Sequence, residues 1–369
     1  MDIYIIALIA FCISVLIPAW TYGLYPLTVR LLKSFYKPIK KSKGFFPSFS
    51  VLIPVYNEEN SIKEKIENIR SLEYSQDKVE IIVVDDGSTD RTLEILEEFE
   101  DVKILRLKRS GKTAAINAGL KTATLDIVLL TDADCLLASD ALLRAAEAFY
   151  DDSVGAVSGK TCLRNSKPSL VVKESSHISG SLIENESQLD SVPSGMGGFL
   201  AFRRKLVKML NPECLADDVD ISIKVRMAGY RIVYAPSIMV STWDPDDFKT
   251  WYHQTVRRTL QGLTTLFHNK RVLFNPKYGW FGMLIFPTRL FLHRLTPFFL
   301  ILGLISSLFI SLFLSVFLLI LLAIGVIFLP RIRKLFIIQF AFLNAWGLFL
   351  MGRHGEVWKR GARQELPGS

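Results

Sequence analysis

Asp132 and Asp134 stand two positions apart, just beyond the strand-like run Asp126–Leu130. On an extended backbone alternate side chains share a face, so the two carboxylates point the same way. Such a pair repels itself unless a cation joins it, and Mg²⁺ or Mn²⁺ carrying a diphosphate would do so. An ordinary Asx-type turn ahead of a helix has the same local look. Asp85-Asp86-Gly87-Ser88 follows another apolar run, Val79–Val84. Its acids can accept hydrogen bonds from a ribose or a base N–H, while Ser88, Thr89 or Asp90 caps the next helix. Lys112, after Gly111 at a helix start, can meet phosphates together with exposed backbone N–H groups. Asp217-Asp218-Val219-Asp220 precedes a helix. Those acids either complement the helix dipole or, crowded together, supply a carboxylate of raised proton affinity for general-base work.

Further along, Gln254, Arg257, Arg258 and Gln261 recur at i, i+3, i+4 and i+7, opposite an apolar stripe of Tyr252, Val256, Leu260, Leu263 and Phe267. That pattern predicts an amphipathic helix lying on a membrane. Its adjacent arginines suit either lipid head groups or a diphosphate leaving group.

The elements that must carry these groups alternate. Strands are expected at Ser48–Pro54, Val79–Val84, Val102–Leu107 and Asp126–Leu130. Helices are expected from Ser61 (a capping box with Glu64, and Ile62, Ile66 and Ile69 on one face), after Asp90 to about Glu100, and over Gly111–Thr122. This β-α-β-α order predicts an α/β fold with a mainly parallel sheet, and polar groups gather beyond the strands' carboxyl ends, where such sheets bind ligands. There is no G-x-G-x-x-G and no G-x-x-x-x-G-K-S/T, which removes the main support for dinucleotide or P-loop chemistry.

Both ends of the 369-residue chain are strongly apolar, although the middle has ordinary globular composition. Ile3 to about Gly23 can cross a bilayer as an uncleaved anchor. Leu295–Pro330 has no charged residue and as one helix would be ~54 Å long, so it reads as two crossings that turn near Ser306, Ser307 and Ser311. Leu335–Met351 is a further span, and Tyr278–Arg294 is interfacial or a fifth. The net charge of +8 is concentrated in span flanks: Arg30, Lys33, Lys37, Lys40, Lys41 and Lys43, then Arg331, Arg333 and Lys334, then the tail Arg353–Arg363. That distribution favours five spans with catalytic domain and tail both cytosolic, and argues for the lipid bilayer, not nucleic acid, as partner. Four cysteines without paired spacing fit a reduced compartment.

Each motif is weak by itself, but the order is specific. Pro54-Val55-Tyr56-Asn57-Glu58, Asp85-Asp86-Gly87-Ser88, Gly111-Lys112 with Asn117, Asp132-Ala133-Asp134, Ser194–Arg204, Asp217-Asp218 and Gln254-x-x-Arg257-Arg258 together resemble the membrane-embedded family 2 glycosyltransferases, among them polysaccharide synthases and ceramide glucosyltransferases. The resemblance spans about Ser48–Phe274. It implies a GT-A fold, a nucleotide-diphosphate sugar donor (a UDP-sugar first), and inversion at the anomeric carbon. The acceptor is a growing polysaccharide or, alternatively, a membrane lipid.

Carried over, the donor is held by Pro54, Tyr56, Glu58, Asp85, Asp86, Lys112, Asp132, Asp134, Gln254, Arg257 and Arg258. Asp134, with Asp132, takes the metal, Asp218 beside Asp217 is the base, and Gly197, Gly198 and Arg203 lie on the acceptor side. Arg258 departs from the family, whose Gln-x-x-Arg motif ends in Trp. This puts processive synthesis in doubt. A catalytically silent nucleotide-sugar-binding scaffold is the reading from outside enzymology. The implied organisation is an anchor and basic linker (1–43), a catalytic domain (44–245), interface helices (246–294), C-terminal spans (295–352) and a basic tail (353–369).

Overall fold

The computed structural model describes residues 3–35, 38–163, 170–195, 198–242 and 247–353. Gly197 and most of the basic tail lie outside them.

Among the described residues, eight strands form one sheet: β1 Phe49–Val55, β2 Val79–Asp85, β3 Val102–Arg106, β4 Ile127–Leu130, β5 Leu136–Leu137, β6 Val154–Leu163, β7 Leu200–Arg203 and β8 Arg231–Thr242. Their order across the sheet is β3-β2-β1-β4-β7-β6-β8-β5. The first four pair in parallel, as the βαβα pattern requires. Beyond β4 the sheet is mixed: β7 is antiparallel to both β4 and β6, β8 is parallel to β6, and β5 is antiparallel to β8. The sheet is thus mainly parallel, as expected, with its antiparallel pairings confined to β4–β7, β7–β6 and β8–β5.

The alternation of β1 shows how both faces are covered. Phe49, Val51, Ile53 and Val55 join a core with the helices Ile62–Arg70 and Ala141–Phe149. Leu52 points to the other face, against the helices Lys112–Thr122 and Asp217–Met227. Gly119 is required in that second layer, because a Cβ there would overlap the Leu52 side chain.

Two local expectations change. Ser61 forms no capping box; its hydroxyl donates to the Glu58 carboxylate at 2.6 Å, and the helix starts at Ile62. The helix after Asp90 is a short one, Thr92–Leu96, not a run to Glu100.

Among the described residues, three helical segments are long and apolar enough to cross a membrane: Ile3–Phe35, Phe281–Ile310 and Ile332–Leu350. A shorter apolar helix, Leu312–Phe328, follows the break at Ser311, whose hydroxyl caps Leu314 N–H. The expected turn near the serines is there. The expected fifth span is not separate: π-helical turns over Phe281–Ile285 and Pro287–Leu292 run straight into the helix His293–Ile310.

The predicted amphipathic helix spans Phe248–His268, capped by Asp247. The middle of its apolar stripe is covered by another helix, while Phe267 stays exposed. Val256, Leu260 and Leu263 pack on Ala341, Ala345 and Trp346 of the helix Pro330–Leu350. On its other side Leu266 packs with Ala216, Val219 and Ile223, and Thr265 Oγ1 accepts from Ala216 N–H at 3.1 Å. The helix thus joins the apolar C-terminal helices to the residue preceding Asp217.

Candidate active site

Every strand of the parallel half ends in a polar loop on one edge. Beyond β1 and β2 two loops are zipped together: Asn57, at φ +54°, accepts from Thr89 N–H at 2.8 Å, and its own N–H donates to Ser88 Oγ at 2.9 Å. Glu58 N–H donates to Thr92 Oγ1 at 2.8 Å. Asp85 and Asp86 are both almost wholly buried. Asp85 accepts from the N–H groups of Gly87 and Ser88, at 3.2 and 3.1 Å. Asp86 pairs with Arg109 and accepts from Ser110 N–H at 2.7 Å and Gly111 N–H at 2.9 Å. These acids therefore fix the loops around them. Gly87 makes this possible, since its φ of +80° disfavours a side chain and a Cβ would lie 2.9 Å from Arg109 N. The Arg109 guanidinium carbon in turn lies 3.5 Å from the Tyr56 ring centroid, a cation–π stack beside the loops.

Beyond β4 the chain turns through Asp132-Ala133-Asp134. Lys112, at the start of its helix, donates to Asp132 Oδ1 at 2.9 Å and lies 3.2 Å from Asp217 Oδ2. One ammonium thus bridges two acidic motifs 85 positions apart in sequence (217 − 132). Burial works against that charge, but the two carboxylates outweigh it and raise the Lys112 pKa. Asn117, on the same helix, holds the approach to Asp217. It donates to Leu210 C=O at 3.0 Å and accepts from Leu210 N–H at 2.7 Å.

Asp218 sits in the first turn of its helix. It accepts from the Ser194 hydroxyl and from Val219 N–H at 2.9 Å. Burial, and then the neighbouring Asp217, push its carboxyl up to about 6, against the lowering effect of those hydrogen bonds and of Lys112. That value suits a group that must accept a proton near neutrality. Asp220 lies apart from this cluster: it is buried, pairs with Lys224, and accepts from Asn211 N–H at 3.0 Å.

Oxygen ligands from Asp132 and Asp134 and the Cys135 sulfur lie within 4.8 Å of one another. Paired carboxylates are hard ligands that fit Mg²⁺ or Mn²⁺. The thiol is a poor competitor, because burial, then Asp132 and Asp134, push it up to about 12.

The interface helix contributes unequally. Arg257 is half-buried, within electrostatic reach of Asp132, and among the described residues its Nε has no hydrogen-bond partner. Burial and Arg258 lower its pKa, while Asp132 opposes them. Gln254 is half-buried one turn earlier, and Arg258 is exposed.

Of the expected acceptor-side residues, Gly198 abuts the site: its C=O accepts from Thr131 Oγ1 at 2.7 Å, and a Cβ there would lie 3.2 Å from Cys135 Sγ. Arg203 does not. In the antiparallel pairing of β4 with β7, Leu200 lies opposite Leu130 at the site edge, and Arg203 lies opposite Ile127 at the other end. Its guanidinium donates to the C=O groups of Val154 at 2.8 Å and Phe149 at 2.7 Å, a structural role.

The sequence reading missed Ser194 as a partner of Asp218, Arg109 in the stack, and Lys65. Lys65 is fully buried, donating to Thr131 Oγ1 at 2.8 Å and Cys135 C=O at 2.6 Å. Burial lowers it to about 8, opposed by the acidic groups above it. A signal was present: Ile62, Lys65, Ile66 and Ile69 occupy i, i+3, i+4 and i+7, so a lysine stands in the apolar stripe.

Residues 50–210 match the family described as glycosyl transferase family 2. A poly-β-1,6-N-acetyl-D-glucosamine synthase of Staphylococcus aureus (strain MSSA476) is 31% identical over 218 residues, 56% of this chain and 52% of that protein. A probable glycosyltransferase of Bacillus subtilis (strain 168), YdaM, is 28% identical over 265 residues, 65% of this chain and 63% of that one. The chain therefore spans about half to just under two thirds of these relatives. Among solved structures, the mannosyltransferase PcManGT from Pyrobaculum calidifontis, in complex with GDP-Man and Mn²⁺, superposes with a TM-score of 0.76 at 26% identity, over 93% of this chain and 99% of that one.

Proposed function

We propose, on the premise that the chain carries a family 2 glycosyltransferase domain of GT-A type, that it is a membrane-bound, inverting, metal-dependent transferase. It moves a sugar from a nucleotide-diphosphate sugar to an acceptor hydroxyl. The observation that carries this reading is the convergence, through Lys112, of Asp132 with Asp217 and so with its neighbour Asp218. The acids assigned to the donor side and to the base side thus meet at one ammonium.

In this reading the Tyr56–Arg109 stack offers a flat surface to the nucleobase, with Pro54 and Glu58 shaping the loop beneath and Asp85 and Asp86 holding it. Asp134 and Asp132 would hold the divalent cation, whose charge offsets that of the departing diphosphate. Lys112 and Arg257 supply further positive charge, with Gln254 alongside. Asp218 accepts the acceptor's hydroxyl proton while that oxygen attacks the anomeric carbon from the face opposite the diphosphate. Ser194 and Val219 N–H fix its orientation.

The donor is proposed to be a UDP-sugar and the acceptor a β-linked glycan, on the likeness to the staphylococcal synthase. The neighbour's GDP-Man makes a GDP-sugar the first alternative donor. Single transfer to a membrane lipid is a second reading, favoured by the exposed Arg258 where the family carries Trp. The apolar helical segments Ile3–Phe35, Phe281–Ile310 and Ile332–Leu350 support a bilayer setting.

The test is product mass and anomeric configuration from purified full chain given Mn²⁺ and UDP-GlcNAc, UDP-glucose or GDP-mannose. A ladder of inverted product supports the glycan reading, and one mass step on lipid supports the second. A retained configuration, or no transfer from any donor, refutes the proposal.

A further inference from the structure

Lys65 is the one fully buried lysine among the described residues, and the chemistry proposed above leaves it without a part. Its ammonium grips both ends of the Asp132–Asp134 turn: Thr131 Oγ1 before it, at 2.8 Å, and Cys135 C=O after it, at 2.6 Å. The contact continues outward, because Thr131 Oγ1 spends its own proton on Gly198 C=O at 2.7 Å, on the acceptor side. One turn along the same helix, Asn68 seizes the next segment: it donates to Leu137 C=O at 2.9 Å and accepts from Leu137 N–H at 2.8 Å. A lysine in an apolar helical stripe costs desolvation that an isoleucine would not, so its presence calls for a gain elsewhere. Two hydrogen bonds placed on the flanks of a paired-carboxylate turn are such a gain, since outer partners of this kind set the orientation of metal ligands.

We infer that Lys65 is a positioning residue that holds the metal-binding turn and, through Thr131, registers it against the acceptor-side loop at Gly198. The inference rests on the proposed metal-dependent transfer. It also makes a prediction opposed to simple electrostatics. Coulomb's law alone says that removing a cation beneath two carboxylates strengthens cation binding there. If Lys65 acts by orienting the carboxylates, removing it weakens that binding.

The experiment uses the purified full chain with Lys65→Met and Thr131→Val. Mn²⁺ affinity is read directly from the electron paramagnetic resonance signal of the free ion, with no donor present. Lys65→Met is expected to weaken Mn²⁺ binding about tenfold to a hundredfold, the range for losing an outer partner of a metal ligand. Binding of UMP and GMP without metal should stay unchanged, which a general loss of folding would not allow. Thr131→Val keeps the Lys65–Cys135 contact and breaks the link to Gly198. It should therefore lower sugar transfer relative to donor hydrolysis by about tenfold while changing Mn²⁺ affinity less. Mn²⁺ binding in Lys65→Met that is equal to or tighter than wild type overturns the inference. So does an unchanged transfer-to-hydrolysis ratio in Thr131→Val, which decides the matter should Lys65→Met fail to fold. If the wild-type chain binds Mn²⁺ yet transfers no sugar, the proposed function fails, and the Mn²⁺ measurement still decides the role of Lys65.

Discussion

Removing the Lys112 ammonium tests the site's electrostatics from two sides at once. Its nitrogen lies 2.9 Å from Asp132 and 3.2 Å from Asp217, and its charge also holds down the proton affinity of Asp218. Lys112→Met strands two carboxylates where the proposed donor's diphosphate would arrive. One charge-assisted contact is worth about 1.5–3 kcal/mol, so donor affinity should fall roughly tenfold to a hundredfold. The second consequence concerns pH. Asp218 must be ionised to accept a proton, and with its carboxyl at about 6 transfer should fall tenfold per pH unit below that value and level off above it. Without Lys112 the acid limb should move upward by about one pH unit, the lower end of what a nearby opposite charge contributes. The assays are calorimetric titration with the nucleoside diphosphate and a pH profile of kcat/KM, each compared with Lys112→Arg, which keeps the charge. Donor affinity within twofold of wild type, together with an acid limb still near pH 6, would refute the reasoning.

Three further outcomes are expected. Chelation of divalent cations should abolish transfer, and Mn²⁺ or Mg²⁺ should restore it; full activity in excess chelator would contradict the role given to Asp132 and Asp134. Gly119→Ala overpacks Leu52 and should cost about 1–3 kcal/mol, read as a thermal midpoint lowered by roughly 2–4 °C per kcal/mol. Glu80→Gln tests an acid-sensitive clasp. Burial raises this carboxyl, but Lys103, Ser50 and Thr124 overcome that and hold it down to about 2, against 4.5 in a free chain. Its contribution is thus complete above pH 4.5 and lost as pH falls toward 2, so the stability gap between wild type and variant should narrow over that window.

The sequence made the parallel half of the fold legible because each strand there is a local apolar run bounded by turn residues. The expected Val79–Val84 and Asp126–Leu130 are found at Val79–Asp85 and Ile127–Leu130. The insertion of β7 between β4 and β6 had no such signature, since it depends on pairing Leu130 with Leu200, 70 positions away (200 − 130). Charged residues were legible by type but not by direction. Asp86 looked like a ligand acid and turned out to hold Arg109, Ser110 and Gly111. Arg203 stood in the right motif yet faces the far end of its strand. The amphipathic helix was placed correctly along the chain, but its apolar stripe was assigned to lipid because a period of 3.6 cannot tell lipid from another helix. Arg257 and Arg258 are adjacent and alike in sequence; only the packing of the helix separates the half-buried one from the exposed one.

The central claim is that Asp218 takes the acceptor's proton, and single-turnover transfer by Asp218→Asn tests it most directly. The amide keeps the size of the side chain and can still meet Ser194, but it cannot accept the proton. At saturating donor and acceptor the rate of the chemical step should fall by ~10²–10⁴-fold. A single-turnover rate within a few-fold of wild type would contradict the account and remove Asp218 as the base.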